Sequence, residues 1–599
     1  MSYRTDSEPQ LQQKLTGYQI FFIVISAVIG TGVFTDNGQV LALAGSLGML
    51  VGVIILGLIA FAVGETVSEF VQVFPAPNGI FEYVHAFVDE EFAWVVAICY
   101  WYSFASVAAT QVKQAGDLLA FYGPHESLVA IFIYGFTPII LFGLNLSGVW
   151  YFGVVETVGG FLKTVLLVSV SITLYVISGN SDITLSFEHS PLTSNNFEAF
   201  AIATPAIAYG FIGIESTVMA AYEAKPPNAI RWSSRTIHGA TLLMYIFATV
   251  AIALTVNWDN PALPAPFSGI IRDPPGSSAP MSSSGAGQSS SVVVIAIMER
   301  SQTGAAIVNG ALVFSVLSAA NTSLYIASRT LYGLTYRIRG RSAISKLLKK
   351  LSTVWEVTGA PAAALFWSVA LFYPLPFLEL VHDEPHKQRI QDAIDIISIT
   401  SSVSCLVVWA AICIAFIRFE RWTRLCSDGL HDRGYSRFIR DSPEYKREVR
   451  TVLIWGQPYV AWLGLAGCLV VFAFSSATFW NSRDNLVLKV FAAYGTQFLL
   501  LVFWGVLKLF GKWDNWVTME VESNPRKLIR RLQNLEFLSR TAEQRELYYG
   551  AYPQSDDALR PVRQQAMNSR EYPLNDMDNR PVNAQRAYST DDTDISDHQ

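Results

Sequence analysis

Long apolar runs, separated by short polar connections, fill most of this chain and predict a helical membrane protein. A helix of ~20 apolar residues covers the ~30 Å of hydrocarbon in a bilayer. Twelve runs reach this length before the sequence turns polar near residue 512, so we predict an all-α membrane protein with twelve transmembrane helices. Their approximate limits are 18–44, 46–70, 92–121, 127–147, 153–178, 198–222, 237–257, 303–331, 360–381, 393–419, 454–479 and 487–511.

Two of these runs carry paired glycines where a continuous helix would be expected. Gly30 and Gly32 lie in the middle of the first run, and Gly210 and Gly213 lie in the sixth run beside the acid Glu215. Such glycines either allow close helix packing or mark broken helices that line a binding site. Breaks in the first and sixth spans, five apart, are what two inverted repeats of five helices would produce, which favours the binding site.

A pair of broken helices predicts how a small ligand would be held. Each break exposes main-chain N–H groups with partial positive charge and C=O groups with partial negative charge. A zwitterion fits between them. We expect its carboxylate to bind N–H groups around Thr31, Gly32 and Val33, and its ammonium to meet carbonyls around Tyr209 to Ile212.

The charges of the connections predict the orientation. With the N-terminus inside, about twenty Lys and Arg residues lie in the inner segments and five in the outer loops. This asymmetry predicts that both termini are cytosolic, although the inner connection 71–91 has no Lys or Arg. The polar residues 1–17 lead directly into a full-length span, so we expect no cleavable signal peptide.

The same pattern divides the chain into segments. Residues 1–17 are predicted to be a cytosolic N-terminal segment and residues 18–511 the twelve-helix domain. Within that domain, the outer connection 258–291 is rich in Pro, Ser and Gly and predicts a flexible extracellular loop. The polar residues 512–599 predict a cytosolic tail with one amphipathic stretch, suited to trafficking or regulatory partners.

Composition excludes several classes of protein. With 51% hydrophobic and 15% charged residues, the chain is too apolar for a soluble protein and does not suggest nucleic-acid binding. No metalloprotease or nucleophile-elbow motif is present, so a membrane enzyme is not favoured. No metal site or other cofactor is predicted, because the cysteines lack metal-ligand spacing and lie mostly in apolar runs. They are Cys99, Cys405, Cys413, Cys426 and Cys468.

A set of motifs in a fixed order carries a family resemblance. They include Ile29-Gly-Thr-Gly-Val-Phe, Gly64-Glu65, Phe211-Ile-Gly-Ile-Glu215, Ser318-Ala-Ala-Asn-Thr-Ser-Leu-Tyr and Gln457-Pro-Tyr. Over nearly all of residues 17–515 the chain resembles fungal amino-acid permeases of the amino acid–polyamine–organocation superfamily. The resemblance implies the leucine-transporter-like fold, with two inverted five-helix repeats plus two extra helices. It also implies proton-coupled amino-acid uptake across the plasma membrane.

The resemblance and the two breaks together give a set of candidate site residues. Phe211 resembles the aromatic that closes over substrate, and its alternative is a core aromatic. Asn321 could face the first helix at the site or bond to neighbouring helices. Glu215 could be a structural acid or a titrating group. The predicted substrate-binding residues are Ile29, Gly30, Thr31, Gly32, Val33, Gln111, Tyr209, Phe211, Ile212, Gly213, Glu215 and Asn321.

Three charged residues are predicted to couple transport to protons: Lys163, Glu156 and Glu215. A lysine inside a span costs ~2.5–3.5 kcal/mol to insert, so it is paired, snorkelling or functional. In related transporters a lysine at the position of Lys163 replaces a bound sodium ion. Glu156 lies on the same helix face, but two turns away, which is too far for a direct bridge.

One position departs from the family pattern, and two functions remain open. Many relatives carry a glutamate in the third span where this chain has Gln111, and Lys113 follows it. Lys113 either snorkels toward the outer surface or forms an anion site. The favoured function is a secondary transporter for amino acids and protons, and the alternative is an amino-acid receptor that signals without flux.

Overall fold

The computed structural model describes residues 11–30, 32–179, 183, 185–188, 193–225, 228–263, 291–336, 338, 343–380, 384–475, 477, 486–510 and 524–539. In these ranges the chain is helical and forms no β-strand, apart from one isolated bridge between Leu15 and Ala224. The all-α prediction is confirmed for them. Thr31, most of the predicted outer loop (264–290) and residues 540–599 of the predicted tail lie outside the described residues.

Twenty α-helices are present in the described ranges. They are α1 (Gly17–Val28), α2 (Asn37–Val73), α3 (Gly79–Phe87), α4 (Glu90–Leu119), α5 (Glu126–Leu128), α6 (Thr137–Leu146), α7 (Val149–Ser178), α8 (Asn196–Gly210), α9 (Thr217–Tyr222), α10 (Asn228–Ala253), α11 (Val292–Met298), α12 (Gln302–Tyr336), α13 (Ala343–Lys350), α14 (Ala362–Ala370), α15 (Glu384–Leu425), α16 (Ser427–His431), α17 (Pro443–Glu448), α18 (Tyr459–Phe474), α19 (Leu486–Phe510) and α20 (Pro525–Ser539). Two π-helical turns, Gly32–Asp36 and Val129–Phe136, lie between them.

Seven helical stretches in the described part of the chain are long and apolar enough to cross a membrane, by length and composition. The first, Gly17–Val73, has 57 residues and therefore contains two of the predicted spans. The boundary between those two spans falls at Gly45, whose φ of 70° interrupts the helix. The shorter apolar helices Tyr459–Phe474 and Gln497–Leu509 fall on the last two predicted spans. A total of twelve spans stays a prediction.

The two faces of α7 have the polarity expected for a helix that borders lipid. Val158, Phe161 and Val176 are more than half exposed, whereas Glu156 and Lys163 are buried. A soluble helix places its charges outward, but hydrocarbon favours apolar side chains on the outside. The arrangement therefore identifies the outer face of α7 as lipid-facing.

The packing of the long helices places both predicted breaks inside the bundle. α4 packs against α12 and α15, while α1 packs against α7 and α10, and α2 against α8 and α10. Thr16 begins α1 with a capping box, in which its side chain and that of Gln19 each accept a main-chain N–H. Val28, where α1 ends, and Gly210, where α8 ends, are buried.

A short buried helix that we did not predict covers one side of the first break. α11 follows the predicted outer loop, and its apolar side chains from Val292 to Ile297 are buried. The hydroxyl of Ser291, just before it, donates to the carbonyl of Phe34 at 2.7 Å. α11 is far too short for a span, so the length criterion that located the other helices could not find it.

The end of the bundle that the charge pattern assigns to the cytosol is covered by folded connections. Glu69 on α2 accepts hydrogen bonds from Arg440 (2.8 Å) and from Tyr445 (2.7 Å), which belong to the connection between α15 and α18. One turn earlier, Glu65 accepts the main-chain N–H of Leu453 at 2.8 Å. Two acids of the second span thus hold this connection in place.

The amphipathic stretch of the predicted tail is helical and docks on the same end. α20 buries four apolar side chains and packs against α3 and α16. Arg437 forms an ion pair with Glu536 of α20. The buried apolar residues are Leu528, Ile529, Leu532 and Leu535.

The Glu69–Arg440 pair generates a prediction about stability. Arg440→Met leaves the fully buried Glu69 carboxylate without its cation, so we expect a loss of about 3–5 kcal/mol. The loss would be measured as a lower Tm of the purified protein in detergent.

Two controls separate this effect from a general loss of surface charge. Arg424→Met removes a mostly exposed arginine that pairs with Glu420, so we expect it to change the Tm little. Adding Glu69→Gln to Arg440→Met should restore the part of the Tm that the unpaired carboxylate costs, while the carbonyls of Ile454 and Gln457 stay without the arginine. Equal Tm values for the two arginine variants would contradict the prediction.

Candidate functional site

The first predicted break is present in the structure. α1 ends at Val28, Ile29 has non-helical backbone angles, and the chain resumes as the π-helical turn Gly32–Asp36 before α2 begins. The N–H of Gly30 bonds to the carbonyl of Val28 only two residues back, at 2.9 Å. Helical pairing is therefore lost over the residues that the glycines indicated.

The second predicted break is also present. α8 ends at Gly210, six residues of turn follow, and α9 begins at Thr217. Gly213 within the turn has φ of 108°, a conformation that side chains disfavour. A Cβ at this position would also lie 3.0 Å from the Cβ of Ala27 on α1, so the second break packs directly on the first helix.

The two breaks touch each other through glycine. A Cβ added to Gly32 would lie 2.3 Å from the Cα of Gly210. No side chain fits in that space, because real Cβ atoms do not approach main-chain atoms so closely. The close approach of the two main chains thus requires glycine at position 32.

Tyr245 on α10 joins the two helix ends. Its hydroxyl lies 2.8 Å from the carbonyl oxygen of Val28 and 2.6 Å from that of Gly210. These are carbonyls at the ends of α1 and α8, which have no partner in the next turn of helix. We did not predict this residue. Its signal in the sequence was a tyrosine in mid-span, whose buried hydroxyl needs a partner.

A small cavity, with room for about one water molecule, opens between the breaks and α4. Five of the predicted substrate-binding residues line it: Gly30, Gly32, Gln111, Tyr209 and Ile212. The other lining residues are Ala27, Val28, Val107 and Gly210. The structure therefore brings main chain from both breaks to one cavity.

Two polar side chains reach this cavity from different helices. The hydroxyl of Tyr209 lies 3.0 Å from that of Thr110 on α4. Gln111, the next residue on α4, is buried, and its amide nitrogen would lie 2.9 Å from a Cβ on Gly30. The Gln111 amide therefore lies directly beside the first break.

Several predicted residues lie outside the lining of this cavity, among them Phe211. The Phe211 ring packs on Tyr245 with ring centroids 4.7 Å apart, and it lies beside Gly57 of α2. Its role as the aromatic that closes over substrate stays a prediction. Ile29 and Val33 are buried in the apolar core as well.

Asn321 also lies outside the lining of the cavity. Its side-chain amide donates to Glu156 of α7 at 2.6 Å, and its oxygen accepts from Asn145 of α6 at 2.8 Å. It therefore bonds to neighbouring helices and does not line the cavity. Lys113 forms an ion pair with Asp117 at 3.0 Å, one turn along α4.

Glu215 lies beyond the cavity, where the second break meets α15. Its carboxylate accepts hydrogen bonds from the indole of Trp409 (2.9 Å) and from the N–H of Gly213 (3.3 Å). The carboxylate thus stabilises the turn that separates α8 from α9.

Lys163 and Glu156 are connected through Ser26 of α1. The ammonium of Lys163 donates to the carbonyl of Ser26 at 2.8 Å and to its hydroxyl at 2.9 Å. That hydroxyl donates to the carboxylate of Glu156 at 2.5 Å. Lys163 and Glu156 form no direct ion pair in this part of the structure, so Ser26 bridges the charges. Sequence reasoning missed Ser26, because one serine in an apolar run has no distinguishing pattern.

This network ties the first helix to two others. Ser318 of α12 lies 3.0 Å from the Ser26 hydroxyl, and Thr322 donates to it at 3.3 Å. Lys163 is fully buried, and a buried charge is tolerated only with partners of this kind. Ser26 precedes the end of α1 by two residues, so the network contacts the half-helix that leads to the first break.

Comparison with known proteins identifies similar chains. A family model described as "Amino acid permease" matches residues 19–519. The general amino acid permease AGP3 of Saccharomyces cerevisiae is 27% identical over 429 residues, covering 70% of each chain. The SPS-sensor component SSY1 of the same yeast is 22% identical over 574 residues, covering 85% of this chain and 63% of the sensor component.

The fold is shared with a solved membrane transporter. The crystal structure of a mutant of the Eremococcus coleocola manganese transporter superposes with a TM-score of 0.51. The match covers 87% of this chain and 99% of that one at 12% identity. An identity this low supports the similarity of fold alone.

The contact between the two breaks generates a prediction with a matched control. Gly32→Ala forces a methyl group into main-chain atoms at 2.3 Å, and we expect a loss of about 1–3 kcal/mol. Gly210→Ala places its methyl group 3.5 Å from the Cα of Gly32, which is ordinary contact. The Tm of the purified variants in detergent should therefore fall for Gly32→Ala and change little for Gly210→Ala. The reverse order would show that the breaks do not touch in this way.

Proposed function

The chain belongs to the amino acid permease family, and on that premise we propose that it imports amino acids by proton symport with alternating access. It is a multi-pass integral membrane protein of a family that transports amino acids and does not catalyse reactions. Proton coupling, the direction of transport and the plasma membrane as its location are parts of the proposal. So are the cytosolic position of both termini and the possible trafficking partners of the tail.

The observation that carries the proposal is the cavity between the two breaks. Its walls are mainly main chain and small side chains, and main-chain dipoles of opposite sign suit the two charges of a zwitterion. N–H groups around Gly32 and Val33 would hold the substrate carboxylate. Carbonyls around Tyr209 to Ile212 would meet its ammonium, at the helix end that the Tyr245 hydroxyl fixes.

The proposed architecture is a leucine-transporter-like domain over residues 18–511, with two inverted repeats of five helices and two further helices. Breaks in the first and sixth spans support it, because inverted repeats place equivalent interruptions in both halves. Residues 1–17 and 512–599 would flank this domain in the cytosol, and residues 258–291 would form an extracellular loop.

Alternating access requires contacts that open and close, and the proposed cytosolic side has such contacts. Leu15, before α1, pairs with the backbone after α9: its N–H donates to the carbonyl of Glu223 at 2.9 Å. The buried carboxylate of Glu223 faces Arg329 of α12 at 3.6 Å. Opening toward the cytosol would separate these groups, so they serve as the closed inner gate in the proposed cycle.

The Lys163–Ser26–Glu156 network is the proposed site of proton coupling. It lies next to α1 but outside the cavity, so a proton can change the position of the half-helix without contacting the substrate. Loss of a proton from Lys163 would weaken its two bonds to Ser26. α1 would then be free to move away from α7. Glu215, which holds the second break, is a further candidate for this role.

A receptor without flux is the second candidate function. The similarity to the SPS-sensor component SSY1 supports a receptor as the second candidate, because both functions fit the same fold. Flux distinguishes them: a transporter accumulates substrate, whereas a receptor binds substrate without accumulating it.

Proteoliposomes containing the full chain test the transporter directly. With an imposed inward proton gradient, we expect a labelled amino acid to accumulate above its external concentration, and a protonophore to abolish this accumulation. Lys163→Met should remove the gradient dependence and retain exchange of internal for external substrate, because it removes only the proton site. Lys113→Met, which changes a buried lysine outside the network, should retain the gradient dependence. Saturable binding without accumulation by the native chain would support the receptor instead.

Tyr245 generates a further prediction. Tyr245→Phe removes the hydroxyl from the Gly210 carbonyl, while the Val28 carbonyl keeps the N–H of Gly30. The end of α8 therefore loses the contact that fixes it beside the proposed position of the ammonium. A lost hydrogen bond of about 1 kcal/mol corresponds to about a fivefold rise in KM. Tyr175→Phe is the matched control, because the Tyr175 hydroxyl donates to a carbonyl of α10 away from the breaks. Initial rates at equal amounts of protein check this, and an equal KM in both variants would argue against the role of Tyr245.

A further inference from the structure

One neighbouring helix, α10, contacts both sides of the second break. The Tyr245 hydroxyl lies 2.6 Å from the carbonyl oxygen of Gly210, the last residue of α8. His238, on the same helix, places Nε2 of its ring 3.2 Å from the carbonyl oxygen of Ile214, shortly before α9 begins. Two residues seven positions apart on a helix share a face and lie ~10.5 Å apart along its axis. One face of α10 therefore reaches across the break.

The Ile214 carbonyl has no main-chain partner in the described part of the chain. In a continuous helix it would accept the N–H of Val218, but that N–H bonds to the carbonyl of Glu215 at 3.0 Å. Ile214 is buried, and a buried carbonyl without a partner costs free energy. The ring of His238 thus supplies the hydrogen bond that the break removes.

The ring of His238 is located by α2. Its Nδ1 lies 3.3 Å from the hydroxyl of Ser68, and a Cβ on Gly64 would lie 2.1 Å from its Cδ2. The ring therefore packs directly on the main chain of α2, and the residue is fully buried. A carbonyl can only accept, so Nε2 must carry the hydrogen of the bond to Ile214.

The turn that His238 holds is continuous with the cavity wall. Tyr209, Gly210 and Ile212 line the cavity, whereas His238 and Ile214 do not. A change at His238 therefore reaches a ligand only through the position of the turn. A histidine that served packing alone would affect stability and leave ligand affinity unchanged.

We infer that His238 is a positioning residue, whose Nε2–H holds the Ile214 carbonyl so that the turn between α8 and α9 keeps its ligand-binding shape. The inference rests on the proposed function, because it names a group that positions the main chain of the proposed binding site. Together with Tyr245, His238 makes α10 the helix that sets the separation of α8 from α9 across the break.

Two substitutions of His238 test the bond. The amide nitrogen introduced by His238→Gln can take the place of Nε2 and donate to Ile214. The side chain introduced by His238→Asn is one carbon shorter, so its amide takes the place of Nδ1 and does not reach that carbonyl.

Binding in detergent measures the effect, with whichever standard amino acid raises the Tm of the native chain most. We expect the Kd to rise about fivefold or more in His238→Asn and to stay within about twofold of the native value in His238→Gln. Equal Kd values for the two variants would overturn the inference, whatever their Tm values are.

Hydrogen exchange measures the same bond without a ligand. Mass spectrometry compares peptides that cover residues 211–216 in the native chain and the variants. A turn that has lost its partner opens more often, so we expect about fivefold faster exchange in His238→Asn and nearly native exchange in His238→Gln. Ser68→Ala is the control, because it removes the partner of the other ring nitrogen and leaves the bond to Ile214. Equal exchange in Ser68→Ala and His238→Asn would show that the ring does not hold the turn.

A double variant tests whether His238 and Tyr245 hold the same turn. If either change alone releases the turn, His238→Asn with Tyr245→Phe should raise the Kd by less than the product of the two single effects. A rise equal to that product would show that the two residues act independently.

These measurements separate failure of the inference from failure of the proposed function. If no amino acid shifts the Tm of the native chain and none accumulates in proteoliposomes, both are refuted. Binding without accumulation would refute the transporter, and the Kd values would then decide the role of His238. Accumulation with equal Kd values in the two His238 variants would leave the transporter intact and refute the inference.

Discussion

Unpaired main-chain groups in the middle of a membrane are the constraint on which this structure depends. Hydrocarbon cannot satisfy them, so a helix that breaks at that depth requires partners from its own protein. Here the rest of the protein supplies a partner: Gly32 lets the two breaks touch, and the hydroxyl of Tyr245 on α10 meets a carbonyl at each helix end. Main chain that is left beside the cavity can then bind a ligand.

The positions of the two breaks could be predicted from sequence, because glycines inside a full-length apolar run are a local signal. The residues that bond to the broken helices could not be predicted from sequence. Tyr245 and Ser26 contact residues more than a hundred positions away or on other helices, and no local pattern specifies such contacts. The contacts of Phe211 and Asn321 could not be predicted for a related reason, because the direction of each side chain is set by the turn geometry and by neighbouring helices.

The charged side chains of the network lie away from the cavity in which we propose that the ligand binds. The cavity is lined by neutral groups, while Lys163 and Glu156 are buried behind α1 and joined by Ser26. In the proposed mechanism, α1 responds both to a proton and to a substrate. It ends at the cavity, and it bonds to the network two residues before that end. A proton and a substrate can then influence the same half-helix without competing for the same atoms.

The proposed binding between two broken helices requires a ligand that carries both charges of a zwitterion. Equilibrium competition against a labelled amino acid, using its own N-acetyl derivative and its own methyl ester, measures this requirement directly. Each derivative removes one charge of the zwitterion, so both should bind weaker than the parent by about 100-fold or more. Competition by either derivative at the concentration of the parent amino acid would show that the broken helices do not grip the two charged ends.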